Sequence, residues 1–163
     1  YLIRAGDYHV DVLGPDGSVR SGAPVSYRPV PIGKDEREEW QAETRRRGGL
    51  SVGVEVNNGQ RSVALERGRP PRNTLDDLPW PEVKPPFDPG HTWVDSRERL
   101  WVRRHLPAGA AWRYDVFDPR GQHVGVVQLP ADRQVAGMGR LTVYLVRFDD
   151  SDLQYLERYD LPM

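Results

Sequence analysis

Residues 112–121 read Trp-Arg-Tyr-Asp-Val-Phe-Asp-Pro-Arg-Gly, and residues 8–17 read Tyr-His-Val-Asp-Val-Leu-Gly-Pro-Asp-Gly. When the two segments are aligned at a spacing of 104 residues, four positions are identical: Asp11/Asp115, Val12/Val116, Pro15/Pro119 and Gly17/Gly121. Each segment alternates as a strand does and then enters a Pro-x-Gly turn, in which proline presets φ and glycine accepts φ > 0. The two segments therefore predict a repeated β-hairpin.

Further strands are predicted on both sides of each copy. Residues 1–5 precede the first copy and residues 18–20 follow it, whereas residues 100–104 and 122–129 flank the second. The repeat unit is thus a strand, a turn, a strand, a Pro-x-Gly turn and another strand.

The end of the chain predicts a third copy of this unit. Residues 141–148 (LTVYLVRF) are rich in β-branched and aromatic side chains, and residues 153–161 form another predicted strand after a polar turn. Phe117-Asp118 aligns with Tyr159-Asp160 at a spacing of 42 residues, a period typical of propeller blades. The longer spacing of 104 then requires an insertion of about 60 residues after the first copy.

The predicted strand 141–148 is apolar on both of its faces. Leu141, Val143 and Leu145 lie on one face, and Tyr144, Val146 and Phe148 lie on the other. A sheet with one wet face alternates apolar and polar residues, so this strand indicates sheets stacked on both sides. The prediction is an all-β fold of antiparallel propeller blades, about two and a half of them in an incomplete ring. A β-sandwich is the alternative.

Residues 23–89 are the predicted insertion between a partial blade (1–22) and two later blades (90–130 and 131–163). Within the insertion, residues 34–47 have acids in the first turn and arginines in the last, which predicts a helix. Trp40 is nearly the only large apolar residue of that helix and is its expected anchor. Asn57-Asn58-Gly59 predicts the turn of a hairpin over 50–65, and residues 69–89 form a proline-rich connector.

Composition excludes several functional classes. The 163 residues carry a net charge of −1, which does not favour binding to nucleic acid or to an anionic membrane. The chain has no cysteine, so disulfides, thiolate catalysis and cysteine-ligated zinc are excluded. No apolar run is long enough to span a membrane as a helix.

Three stretches together resemble the bacterial six-bladed β-propeller family that is related to NHL-repeat proteins. They are Trp101-Val102 with the segment 114–121, the strand 124–130, and the closing segment 144–162; the lead-in 80–87 is also similar. The resemblance covers about 100 residues, in 1–22 and 80–162. It implies that six blades need about 250 residues, so we expect this chain to be the C-terminal portion of a longer propeller. Self-association through the open blade edges is the alternative.

The sequence contains no recognisable catalytic constellation. No serine lies in a Gly-x-Ser-x-Gly elbow, and the four histidines form no His-Glu-x-x-His motif. Residues 148–152 (FDDSD) predict a solvated hairpin turn rather than a calcium loop. We therefore expect a non-enzymatic binding or scaffold module without a cofactor or metal. The alternative is a metal-dependent lactonase or lyase of the propeller type, with its ligands mainly in other blades.

The predicted ligand-binding residues are His91, Trp93 and Asp95, which we expect to face the central channel from an innermost strand. Their alternative roles are a packed tryptophan and an aspartate that stabilises a turn. The expected partner is a protein, peptide or glycan, with no nucleic acid and no membrane insertion. The family resemblance and the absence of cysteine are compatible with a periplasmic or secreted protein.

Overall fold

A computed structural model of the protein describes residues 1–47, 50–57, 60–67, 79–149, 151 and 153–162, with the backbone alone for 45–47, 50–57 and 60–67. In this part of the chain, strands dominate and a single helix is present. The all-β class predicted from the sequence is therefore confirmed.

The elements are short and follow one another closely along the chain. They are, in order, β1 (Leu2–Arg4), β2 (His9–Leu13), β3 (Val19–Ser21), β4 (Val30–Pro31), α1 (Lys34–Arg47), β5 (Leu50–Asn57), β6 (Gln60–Arg67), β7 (Val83–Lys84), β8 (Phe87–Val94), β9 (Leu100–Arg104), β10 (Arg113–Phe117), β11 (His123–Gln128), β12 (Arg133–Met138), β13 (Thr142–Phe148) and β14 (Gln154–Asp160).

The chain divides into two compact units. Residues 1–30 and 83–163 form the larger unit, and residues 31–82 form the smaller. The larger unit contains three antiparallel sheets: sheet 1 in the order β1-β2-β3, sheet 2 in the order β11-β10-β9-β8, and sheet 3 in the order β12-β13-β14. Strands β4 and β7 pair with each other, as do β5 and β6.

The central strands of sheet 2, β9 and β10, are buried on both faces. Alternate residues of each strand point to opposite faces of the sheet. One face packs against sheet 1 through an apolar cluster of Tyr8, Val10, Phe87, Leu100, Val102 and Phe117. The other face packs against sheet 3 through a second cluster of Trp101, Tyr114, Val116, Leu129, Val135, Val143, Leu145 and Leu161. Consecutive residues of β9, such as Trp101 and Val102, thus belong to different cores.

All three sheets are antiparallel, and in each of them strands that follow one another in the chain lie side by side. Strand β9 begins at Leu100, and β13 begins 42 residues later, at Thr142. Asp11 pairs with Leu2 in sheet 1, and Asp115 pairs with Val102 in sheet 2.

Of the two residues that the spacing of 42 aligns, Phe117 pairs with Leu100 in sheet 2 and Tyr159 pairs with Val143 in sheet 3. Beyond Tyr159, the backbone N–H of Leu161 donates to the carbonyl of Leu141.

Three hairpins of the larger unit begin with an aspartate that closes its own turn. Asp95, Asp118 and Asp149 each accept backbone N–H groups two and four residues later on the same carboxylate oxygen, at 2.8–3.0 Å. Such local bonds are the usual reason for aspartate at turns. In the segment 148–152, the Asp149 carboxylate thus binds its own backbone.

The smaller unit contains the helix with the bounds that the sequence predicts, Lys34–Arg47. Glu36 accepts the backbone N–H of Gly33 at 3.0 Å, which caps the first turn. Trp40 contacts the edge of Trp80 at a centroid distance of 5.3 Å, so it anchors the helix as expected. Asn58, Gly59, Gly48, Gly49 and residues 68–78 lie outside the described residues, and with them most of the predicted turn and connector signals.

A buried polar triad joins sheet 1 to sheet 2. The Tyr8 hydroxyl donates to Oδ2 of Asp115 at 2.8 Å, and Nε of Arg104 donates to the same oxygen at 2.7 Å. The side chains of Tyr8 and Asp115 are fully buried. Burial beside the Asp115 carboxylate raises the pKa of Tyr8 far above its ordinary value, so the hydroxyl stays protonated and donates.

Replacing Tyr8 by phenylalanine keeps the ring contacts but removes this hydroxyl. We expect Tyr8→Phe to lower the free energy of unfolding by about 1–3 kcal/mol, because a buried carboxylate loses a donor. Urea unfolding followed by tryptophan fluorescence measures the change. The matched control is Tyr155→Phe, whose exposed hydroxyl bonds to Asp149; an equal effect of the two substitutions would contradict the role of the triad.

Candidate functional site

The edge strand of sheet 2 carries a large bulge. Phe87 of β8 pairs with Arg104, and Thr92 pairs with Val102. The four residues Asp88–His91 therefore lie opposite the single residue Arg103. We call this segment the edge bulge; bulges at sheet edges often redirect side chains near functional sites.

Asp88 holds the edge bulge in shape. Its Oδ1 accepts the backbone N–H of Gly90 at 2.8 Å. Its Oδ2 lies 2.7 Å from Nδ1 of His91 and accepts an N–H of Arg103 at 3.1 Å. One carboxylate thus joins the backbone of the bulge, an imidazole and a guanidinium.

Arg103 and His91 both contact Trp112. The guanidinium carbon of Arg103 lies 3.4 Å from the centre of the Trp112 ring system, which is a close cation–π contact. The His91 ring approaches the same side chain in a T-shaped arrangement at 4.8 Å. The side chains of Asp88, His91 and Arg103 are only 15%, 14% and 9% exposed, so the cluster has little freedom to move.

The ionisation of Asp88 is set by competing effects. Burial alone would raise the pKa of this carboxyl. The bonds from His91 and from the backbone of Gly90, together with the charge of Arg103, outweigh burial and hold the pKa well below its ordinary value. Asp88 is therefore a carboxylate at neutral pH.

Two polar atoms are buried close to this cluster, between sheets 2 and 3. Neither the hydroxyl of Tyr114 nor the indole nitrogen of Trp93 has a well-formed hydrogen bond. Burial raises the pKa of Tyr114 far above its ordinary value, so its hydroxyl is protonated. Strand β12 also contacts β8, so these edge strands of sheets 2 and 3 are neighbours.

The structure separates the three residues that the sequence selects. His91 belongs to the edge bulge, whereas Trp93 is partly buried and packs against the core between sheets 2 and 3. Asp95 is buried in its hairpin, where it accepts two backbone N–H groups, Nε of Arg99 and the indole N–H of Trp101. All four of these hydrogen bonds join Asp95 to residues of its own hairpin. This is the turn-stabilising role that was given above as the alternative to ligand binding.

Sequence reasoning missed Asp88 and Trp112 as neighbours of His91. Pro89-Gly90 inside an otherwise strand-like segment was the available signal, since both residues favour a bulge over regular pairing. Trp112 had no such signal, because it lies 21 residues away from His91 and reaches it only through the strand pairing.

No group of three or more histidine, aspartate or glutamate side chains among the described residues is arranged to hold a metal ion. Among the same residues, no helix has the length and apolar character needed to cross a membrane.

Comparisons with protein-family models, with curated proteins and with solved structures found no match for this chain.

The depressed pKa of Asp88 predicts a pH-dependent stability. The stabilisation is complete above the ordinary aspartate pKa of about 3.9 and is lost as the pH falls towards the lower value in the folded protein. We expect Asp88→Asn to destabilise the protein at pH 7 and to reduce its further loss of stability below about pH 4. Urea unfolding from pH 7 to pH 3 measures both.

The control for this prediction is Asp132→Asn, which alters an exposed turn residue whose positive φ of 60° suits asparagine. We expect its unfolding curve to follow that of the unmodified protein at every pH. If the stability difference between Asp88→Asn and the unmodified protein does not shrink on acidification, the ionic role of Asp88 is wrong.

Proposed function

We propose that this chain is part of a six-bladed β-propeller related to NHL-repeat proteins, and that it acts as a non-enzymatic binding module. The ligand is a protein, peptide or glycan segment. The observation that carries the proposal is sheet 2, which is packed on both faces by sheets of the same strand arrangement. Propellers stack short antiparallel sheets in this way around a central channel.

The position of the first strands supports the same architecture. Strands β8 and β12 are the terminal strands of their sheets and lie against each other. In a propeller, the first strand of each blade lines the channel, and ligands bind there or on one rim. The edge bulge of β8 is then on the channel side.

The edge bulge is the proposed contact surface. Pro89 and Gly90 of the bulge are exposed, and the neighbouring His91 side chain keeps 14% of its surface exposed. Asp88, Arg103 and Trp112 fix the bulge before any ligand arrives, which lowers the entropy cost of binding. The Asp88 carboxylate is held by three donors in the fold, so its role is to shape the surface rather than to transfer a proton.

The proposal is tested by screening the protein encoded by the whole reading frame against peptide and glycan arrays and against extracts of its source cells. We expect at least one ligand, and we expect His91→Ala to weaken its binding at least tenfold. Isothermal titration with the captured ligand measures the affinity.

The matched control is His123→Ala on β11, at the opposite edge of sheet 2. This substitution should leave the affinity within twofold. The absence of any ligand, or equal losses from both substitutions, would overturn the proposed function at this site.

A further inference from the structure

Two arginines occupy neighbouring positions on the face of sheet 2 that meets sheet 1. The ladder between β9 and β10 ends with Arg103 opposite Tyr114. The next residues of the two strands are Arg104 and Arg113, and the alternation of the strands places both on the face that carries Asp115. Two positive charges at adjacent cross-strand positions destabilise a sheet. Each arginine therefore needs a counter-charge.

Arg104 has its counter-charge within the fold. Its Nε donates to Oδ2 of Asp115 at 2.7 Å, and a terminal N–H donates to the carbonyl oxygen of Ser26 at 3.1 Å. The guanidinium carbon also lies 5.3 Å from the centre of the Tyr8 ring. Arg104 is therefore part of the junction between sheets 1 and 2.

Arg113 has no counter-charge in the part of the chain that the structure describes. Its Nε atom is buried and lacks a hydrogen-bond partner there, and none of the described carboxylates forms an ion pair with its guanidinium. Asp115, two residues further along β10, is bound by Arg104 instead. Gln128 lies directly opposite Arg113 on β11, but its amide donates to the carbonyl of Ala111. A partly buried guanidinium without a counter-charge costs stability, so the fold alone does not account for Arg113.

Arg113 lies at the same end of sheet 2 as the edge bulge. The edge bulge lies opposite Arg103, and Arg104 and Arg113 are the next positions at that end of β9 and β10. Trp112, which contacts Arg103 and His91, directly precedes Arg113 in the chain. A ligand that covers this end of the sheet can therefore reach both the edge bulge and Arg113.

We propose that Arg113 binds a carboxylate of the ligand, and that this ligand is a peptide segment with an aspartate or glutamate side chain. The guanidinium presents planar N–H groups that match the two oxygens of a carboxylate, and such charge-assisted bonds are strong. The amide of Gln128 and the carbonyl of Ser26 are already bonded in the fold, which leaves few groups for the hydroxyls of a sugar and favours a peptide. This inference rests on the proposed function and gives the chemistry of its ligand.

Binding of a labelled acidic peptide tests the proposal directly. The probe is fluorescein-labelled octaglutamate, with octaglutamine as its uncharged counterpart. Fluorescence anisotropy at low salt follows its binding to the protein encoded by the whole reading frame. We expect octaglutamate to bind and octaglutamine not to bind. Arg113→Gln should weaken the binding of octaglutamate about tenfold, because a charge-assisted hydrogen bond is lost.

The matched control is Arg120→Gln, which removes the same charge from an exposed arginine in the turn at the opposite end of sheet 2. The affinity of this variant for octaglutamate should stay within twofold of that of the unmodified protein. Equal losses from the two substitutions would indicate attraction to overall charge and would overturn the assignment of Arg113. Tighter, Arg113-dependent binding of a polygalacturonate oligomer than of octaglutamate would assign the residue to an acidic glycan and overturn the peptide ligand.

Unfolding in urea separates a binding role from a structural role. Arg104→Gln should lower the unfolding midpoint, because it removes the charged partner of the buried Asp115 carboxylate. Arg113→Gln should leave the midpoint unchanged or raise it, because none of the described residues bonds to its guanidinium. An equal fall in both variants would make Arg113 a structural residue and would overturn the proposal.

Failure of this inference is distinguishable from failure of the proposed function. If the arrays yield a ligand but octaglutamate does not bind, or binds independently of Arg113, the carboxylate site is wrong and the binding function stands. If octaglutamate binds through Arg113 but the arrays yield no ligand, the carboxylate site is supported and the binding function assigned to the edge bulge is wrong.

Discussion

The buried carboxylate of Asp115 is the constraint on which the larger unit depends. It lies on the face of sheet 2 that meets sheet 1, and it is fully buried, so it is tolerable only with strong partners. Arg104 supplies the charge and Tyr8 supplies the hydroxyl, and these come from two different sheets. The hydrogen bond from Tyr8 to Asp115 forms only when sheets 1 and 2 have one particular relative position, so it selects that way of stacking them. The surrounding apolar contacts of Val10, Leu100 and Phe117 tolerate small shifts.

The two cores of sheet 2 are chemically different. The core towards sheet 1 contains the polar triad and three aromatic rings around Tyr8, at centroid distances of 5.8–6.1 Å. The core towards sheet 3 contains Trp101, Tyr114 and six aliphatic side chains, and Trp93 and Trp112 pack against it. Polar contacts on this side come from the β8–β9 hairpin, where Ser96 donates to the carbonyl of Arg140, and Arg97 and Arg99 donate to the carbonyl of Pro162. The buried polar triad thus distinguishes the core towards sheet 1, whereas the hydrogen bonds towards sheet 3 are made at the hairpin.

The sequence predicts the local features of this fold well. The bounds of α1 follow from acids and arginines at opposite ends of one segment, and the strands β10 and β13 follow from their side-chain patterns. The recurrence of Asp11 and Asp115 was visible as a repeat. Its physical meaning was not, because Tyr8 lies 107 residues from Asp115 and only the stacking of sheets brings them together. For the candidate site, the same limit applies: His91 could be selected, but Arg103 and Trp112 join it through pairing across three strands.

The edge bulge also has a consequence for how the sheets can grow. A regular edge strand offers a ladder of free backbone groups to any other strand, which is how fibrils and swapped dimers begin. Asp88 turns one of these N–H groups inward at Gly90, and Pro89 has none to offer. Sheet 2 therefore presents an interrupted ladder along β8, and its other edge strand, β11, also shifts register, between Gly125 and His123. Both edges of the sheet thus depart from the regular backbone ladder that templated strand addition requires.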